Sequence, residues 1–359
     1  CGRPYQLAIR CLTEVWPMNQ PTIADVARLA GVSVATVSRA LRGLDKVHPE
    51  TRDRVIAAAA QLDYIASPEA AGLASGRSRL IGVITPFMAR WFFTEMMSAI
   101  EKVFRDHQHH ILLMDLEERS PEVRLALTQN MMLKRVDGLI VVNVAFRGSE
   151  AEVIKRLNLP VVAVGNAFNG APLVGIDDVG CAALGTQHLI DLGHTALGYV
   201  GKARPHNPHG KTPPDRLQGF VDTLHEADVR LRHDWILECD WSAADAYAGA
   251  LKLLASPDRP TAILAGSDEM ALGVMAAARE LGLRVPQDLS VIGIDDHDLA
   301  RVFGLTTVRQ DVVEQGRAAA HAMLALLGLA DESLARSSVY PVHLLPRTST
   351  CPPAADRPI

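Results

Sequence analysis

From Leu80 onward the chain repeats one device: a short unbroken aliphatic run, then a longer amphipathic stretch. The runs occupy residues 80–84, 110–114, 138–142, 160–164, 196–200, 262–265 and 289–294. Each has the length of a strand covered on both faces and is too short for a buried helix. Strands alternating with helices build parallel sheets with helices on both sides, the doubly wound α/β arrangement. The 359 residues leave room for two or three folded units. A 48% hydrophobic composition supplies their cores without cross-links.

Several function classes find no support. The five cysteines are odd in number, far apart and lack a CxxC pair, which fits a reducing compartment rather than disulfides or zinc. No apolar run approaches the roughly 18 residues of a membrane span. No apolar core of a secretory signal precedes the first motif, so a cytoplasmic protein is expected. Met18 stands directly before that motif and reads as the natural start, with residues 1–17 an extension lacking a clear period. No glycine-rich nucleotide loop follows a strand, and no nucleophile elbow or HExxH helix occurs, so neither a cofactor nor an enzyme activity is expected. His107, His109 and His110 cluster, as do His206 and His209. They lack acidic or cysteine partners at ligand spacing and read as solvated helix-end and loop residues rather than a metal site.

Residues 22–64 obey a different period. Thr22 is a good N-cap, with Asp25 three residues on. Ile23, Val26, Ala27 and Ala30 give the first helix one apolar face. Gly31 stops it, as a left-handed C-terminal residue should. Ser33 caps a second helix running to about Leu41, with Val37 and Leu41 turned inward and Val34, Ala35, Thr36, Ser38 and Arg39 turned outward. Pro49 to Arg52 open a third helix, with Val55, Ile56, Ala59 and Leu62 on its core face. Two short helices joined by a glycine turn are a helix-turn-helix pattern. A helical hairpin without a DNA role is the blander alternative. The net charge is −5, so any DNA-binding surface must be local. Arg28, Arg39, Arg42, Lys46, Arg52 and Arg54 supply it.

The words TIADVARLAGVSVATVSRAL, VHPETRDRV and LDYI resemble the lactose-repressor (LacI/GalR) family, and the resemblance runs to about residue 346. It implies a small all-α helix-turn-helix headpiece on an α/β, periplasmic-binding-protein-like body of two doubly wound lobes. By that resemblance residues 1–21 are an extension, 22–66 the DNA-binding domain and 67–78 a hinge helix. The body spans 79–346, with one lobe at about 79–175 and 310–337 and the other at about 176–309 and 338–346. Residues 347–359 form a tail expected to fray.

The resemblance also implies roles. Val34, Ala35 and Arg39 fall where family members read bases; arginine can pair bidentately with guanine, while the two apolar residues suit a thymine methyl. Thr22, Ser33, Thr36, Ser38, Arg42, Lys46, Thr51 and Tyr64 suit phosphate contacts, which fix register. Leu73 matches the hinge leucine that wedges into the minor groove. The linker departs from the family pattern with Ala66 and Ser67 in place of its Pro-Asn, and with Glu69, Ala71 and Gly72. A passive flexible linker is the competing reading there.

Ligands of such sheets bind at the carboxyl ends of strands. Asp295 follows one run, Ser267 and Asp268 another, and Arg216 opens a helix; Asp295, Ser267 and Arg216 match ligand-binding positions of the family. Helix capping is the rival role for Asp268 and Asp295. Trp91, Phe92 and Phe93 follow the first strand as a stacking wall, with Arg90 adding charge. An acid that accepts from hydroxyls beside an arginine that donates suits a polyol, so the expected effector is a sugar or sugar acid. The implied protein is a homodimeric repressor of carbohydrate-utilisation genes that binds double-stranded operator DNA and no membrane. A solute-binding protein without regulatory DNA binding is the alternative.

Overall fold

The computed structural model describes residues 21–41, 43–44, 46–64, 78–116, 135–144, 146, 148–202 and 212–354. The chain divides into two units, Cys1–Ser78 and Arg79–Ile359.

The first unit packs three helices: α1 (Ile23–Ala30), α2 (Val34–Leu41) and α3 (Pro49–Gln61). Val26, Ala27, Ala30, Val37, Ala40, Val47, Val55, Ala58 and Ala59 form its core. Gly31 ends α1 at φ 67°, a left-handed conformation open to glycine at little cost. Ile56, expected inside, is 50% exposed, and Ala58 takes the inner place. Helix α3 crosses its neighbours on the Val55–Ala58–Ala59 stripe, where small side chains permit close approach.

The second unit holds two six-stranded sheets. The first combines β1 (Leu80–Thr85), β2 (His110–Asp115), β3 (Gly138–Val142), β4 (Val161–Val164) and β5 (Leu173–Gly175), flanked by α4 (Trp91–Asp106) and α5 (Gly148–Arg156). The chain then crosses to α6 (Asp178–Asp191) and builds the second sheet. Its elements are β6 (Leu197–Gly201), α7 (Thr212–Glu226), β7 (Ile236–Glu238), α8 (Ala243–Leu254), β8 (Ala262–Ala265), α9 (Asp268–Glu280), β9 (Ser290–Asp295), α10 (Asp298–Val302) and β10 (Thr306–Gln310). It crosses back for α11 (Val312–Leu326) and β11 (Ser338–Val339), then again for β12 (Val342–Leu345). The strand orders are β11-β5-β4-β3-β1-β2 and β12-β10-β9-β8-β6-β7. Every pairing is parallel except β10 with β12. These are the two doubly wound lobes expected.

Two boundaries differ from expectation. Ser338 and Val339 pair with Val174 and Gly175 in the first lobe, so only β12 returns to the second. One extended segment serves both sheets. Of the tail expected to fray, residues 347–354 are described and are strapped to the second lobe, while 355–359 lie outside the described residues. Ser349 Oγ donates to the Val291 carbonyl at 2.6 Å and accepts from the Thr306 amide at 2.7 Å. The Ser349 carbonyl accepts from the Val291 amide. Buried His194 bonds Thr261 Oγ1, Ser290 Oγ and the Cys351 carbonyl at 2.9, 3.1 and 2.9 Å. His109 is also buried rather than solvated, with Nδ1 on the His107 carbonyl at 2.8 Å.

Candidate functional site

The headpiece presents α2 outward at its start. Val34, Ala35 and Arg39 are exposed, and no hydrogen bond or ion pair ties the Arg39 side chain among the described residues. Ser33 Oγ accepts from the Thr36 amide at 3.1 Å and contacts Thr36 Oγ1 at 2.9 Å, capping α2 as expected. Thr22 differs in detail. Its amide and hydroxyl both donate to Asp25, at 2.9 and 2.7 Å, so the hydroxyl is a donor to the carboxylate. Those bonds hold the Asp25 carboxyl below its usual range. Arg52 donates to the Leu44 carbonyl at 2.7 Å and so braces the loop before α3. Ser38 and Thr51 are partly buried, Lys46 is exposed, and Tyr64 packs against the headpiece core. Arg42 and Leu73 lie outside the described residues.

In the body, Arg216 sits one turn into α7, 5% exposed. Its Nε donates to Asp178 Oδ1 at 2.8 Å and its Nη1 to the Gly266 carbonyl. The same Nη1 lies 3.9 Å from Asp295 Oδ1. Trp241 lies 5.7 Å from the guanidinium carbon. Burial opposes the charge, but Asp178 and Asp295 outweigh it, so the guanidinium stays protonated. Asp295 closes β9 at φ 126°, followed by Asp296 at φ 61°; neither is glycine. Strain of that kind persists where surrounding structure enforces it and gathers at binding sites. Asp295 Oδ1 accepts from Gln310 at 2.6 Å, and Gln310 accepts from Gln315 at 3.1 Å. Burial pushes the Asp295 carboxyl up to about 6 against the pull of Arg216 and Gln310.

Capping falls to Ser267, not Asp268. Ser267 Oγ accepts from the Met270 amide at 3.3 Å. Asp268 is fully buried, accepting from Thr307 Oγ1 at 2.7 Å and from the His297 amide at 2.8 Å. Burial raises its carboxyl well above the usual range. The three aromatics after β1 separate. Trp91 stacks on His297 of the other lobe, with ring centroids 4.9 Å apart and planes at 28°. Phe93 enters the first lobe's core at 8% exposure, and Phe92 packs edge-on against it. Consecutive helical residues point about 100° apart, so three cannot share a wall. Burial raises the nearby Glu269 carboxyl above its usual range, against the pull of Arg90 and of the Trp91 backbone. The Trp91–His297 stack therefore bridges the two lobes.

The structure thus brings Arg216, Ser267, Asp295 and Trp91 to the strand ends. It adds Asp178, Gln310, Gln315, Trp241 and His297, which sequence reasoning missed. His297 could have been found two residues beyond Asp295. Gln310 ends a strand without an aliphatic run, TTVRQ, and gave no signal. No group of three or more His, Cys, Asp or Glu residues fit to hold a metal ion occurs among the described residues. Nor is any described helix long and apolar enough to cross a membrane.

A helix-turn-helix unit carried on a two-lobed body, with a buried arginine–aspartate pair at the strand ends, defines a class: DNA-binding regulators with a ligand-sensing body. Residues 22–67 match the family of bacterial regulatory proteins, lacI family, and residues 186–350 match a periplasmic binding protein-like domain. Catabolite control protein A of Priestia megaterium is 35% identical over 303 residues, covering 83% of this chain and 90% of that protein. The ribose operon repressor of Haemophilus influenzae is 32% identical over 308 residues, covering 84% and 91%. The crystal structure of the lac repressor dimer bound to operator and the anti-inducer ONPF matches with a TM-score of 0.80 at 30% identity, covering 93% of this chain and 100% of that one. The chain belongs to the lacI family and is a DNA-binding transcriptional repressor.

Proposed function

We propose that the protein is a cytoplasmic, homodimeric repressor of carbohydrate-utilisation genes whose grip on operator DNA is set by a sugar or sugar acid in the body's cleft. The carrying observation is the buried Arg216–Asp295 pair at 3.9 Å. Arg216 offers donors to a ring or carboxylate oxygen, and Asp295 accepts from hydroxyls. Trp91 and Trp241 add ring faces of the kind on which a sugar's C–H surface packs. Ser267 lines the same strand ends. A dimer is supported by the similarity to the lac repressor, whose crystal structure is of a dimer bound to operator. In a dimer each headpiece would read one half-site, with Val34, Ala35 and Arg39 toward bases. Thr22, Ser33, Thr36, Ser38, Arg42, Lys46, Thr51 and Tyr64 would meet phosphates, and Leu73 the minor groove.

The test is selection of a pseudo-palindromic operator from a library at fixed salt, repeated with ribose, glucose, gluconate and a nucleoside. Selective binding that one of the sugars alters supports the reading, with Arg39→Ala costing about 1–3 kcal/mol at one base pair and little on random DNA. A response to the nucleoside alone would replace the effector class. Equal Arg39→Ala losses on specific and random DNA would remove Arg39 from base reading.

A further inference from the structure

Tyr199 occupies the middle of β6, in register with Ile236 of β7 and Leu264 of β8. Its ring is fully buried against Phe220, with centroids 5.5 Å apart. Its hydroxyl has no hydrogen-bond partner among the described residues. The polar groups around it are otherwise engaged: Arg216 donates to Asp178 and to the Gly266 carbonyl. The hydroxyl lies toward the strand ends. A Cβ placed on Gly201 would meet its oxygen at 2.8 Å, and one placed on Gly266 at 3.1 Å. Both residues bordering it there are glycine, so no side chain of theirs covers it. The partly buried Trp241, which packs near the Arg216 guanidinium, lies 3.5 Å from the same Gly266 position.

A buried hydroxyl without a partner forfeits its hydration and gains nothing, whereas phenylalanine would fill the volume without that loss. Native interiors seldom leave such a group alone, so the hydroxyl calls for a partner from outside the folded chain, an ordered water or a bound ligand. We propose that Tyr199 is a specificity-determining residue of the effector cleft, its hydroxyl donating to an oxygen of the bound polyol directly or through one water that enters with it. Burial holds the phenol above its ordinary pKa, so it remains a donor at neutral pH. A site that offers a buried donor rejects ligands with no acceptor there, because the donor is then left unpaired. The inference rests on the cleft reading above.

The experiment compares full-length wild type, Tyr199→Phe and Asp295→Asn by thermal unfolding without ligand and by calorimetric titration with D-ribose, D-glucose and D-gluconate. Tyr199→Phe is expected to raise the ligand-free Tm by about 2 °C or more. It is expected to weaken the best-bound sugar about threefold to tenfold, while Asp295→Asn loses measurable binding. A lower Tm for Tyr199→Phe overturns the proposal, because the hydroxyl is then bonded in the ligand-free protein. Unchanged sugar affinity for Tyr199→Phe, with Asp295→Asn inactive, overturns the role of Tyr199 and leaves the cleft reading standing. If Asp295→Asn binds like wild type, or wild type binds none of the three sugars, the cleft reading fails and this inference falls with it.

Discussion

At the scale of single residues, Asp295 is held against its own preferences. Its backbone is left-handed, its carboxylate is buried, and its pKa rises to about 6. An unfolded aspartate titrates near 3.9, so between those values the folded protein holds a proton that the unfolded chain has lost. Its contribution to stability is full at low pH and disappears as pH rises through about 6. Asp295→Asn should therefore gain stability relative to wild type between pH 4 and 7, on the order of 2–3 kcal/mol, measured by denaturant unfolding at several pH values. The same change should abolish effector binding if the cleft reading is right. A variant no more stable at pH 7 than at pH 4, relative to wild type, would mean that Arg216 and Gln310 repay the burial in full.

Among the elements, the C-terminal strap offers a second comparison. Ser349→Ala leaves the Thr306 amide buried without an acceptor, which should cost about 1–3 kcal/mol in urea unfolding. His194, beneath the strap, is kept neutral chiefly by burial, below its ordinary 6.5. The unfolded chain takes up that proton first, so stability should fall as pH drops below about 6.5. Asp295 pushes the other way in part of that range, so the contribution of His194 is the difference between wild type and His194→Gln. A wild-type curve parallel to that of the variant would count against it. The strap also marks how far the sequence could be read. Strands β1, β2, β3, β4, β6, β8 and β9 were legible because burial on both faces demands unbroken aliphatic runs. The strap was not, because its partners, His194, Ser290 and Val291, lie far away along the chain. Likewise Arg216 and Asp295 could be located at element ends, while Gln310 and Asp178 become site residues only when the fold brings them together. Phe93 was misread because its sequence neighbours hid its place in the core.

For the body as a whole, the Trp91–His297 stack joins the two lobes. His297 is held below its ordinary pKa by burial, although Asp298 and Glu95 oppose this. Trp91→Ala should loosen the lobes. Small-angle scattering should then give a larger ligand-free radius of gyration that contracts on effector binding, where wild type changes little. Identical profiles for variant and wild type would show that the hinge crossings alone set the lobe angle. The way the chain threads those crossings carries a consequence for synthesis. Helix α11 supplies Val312, Ala319, Ala320, Ala322, Met323 and Leu324 to the first lobe's core, and β11 supplies its edge strand. Both leave the ribosome after all five parallel strands of the second lobe. The lobe translated first thus waits, its hydrophobic face open, for residues made near the end, and the nascent protein depends on whatever shields that face during the interval.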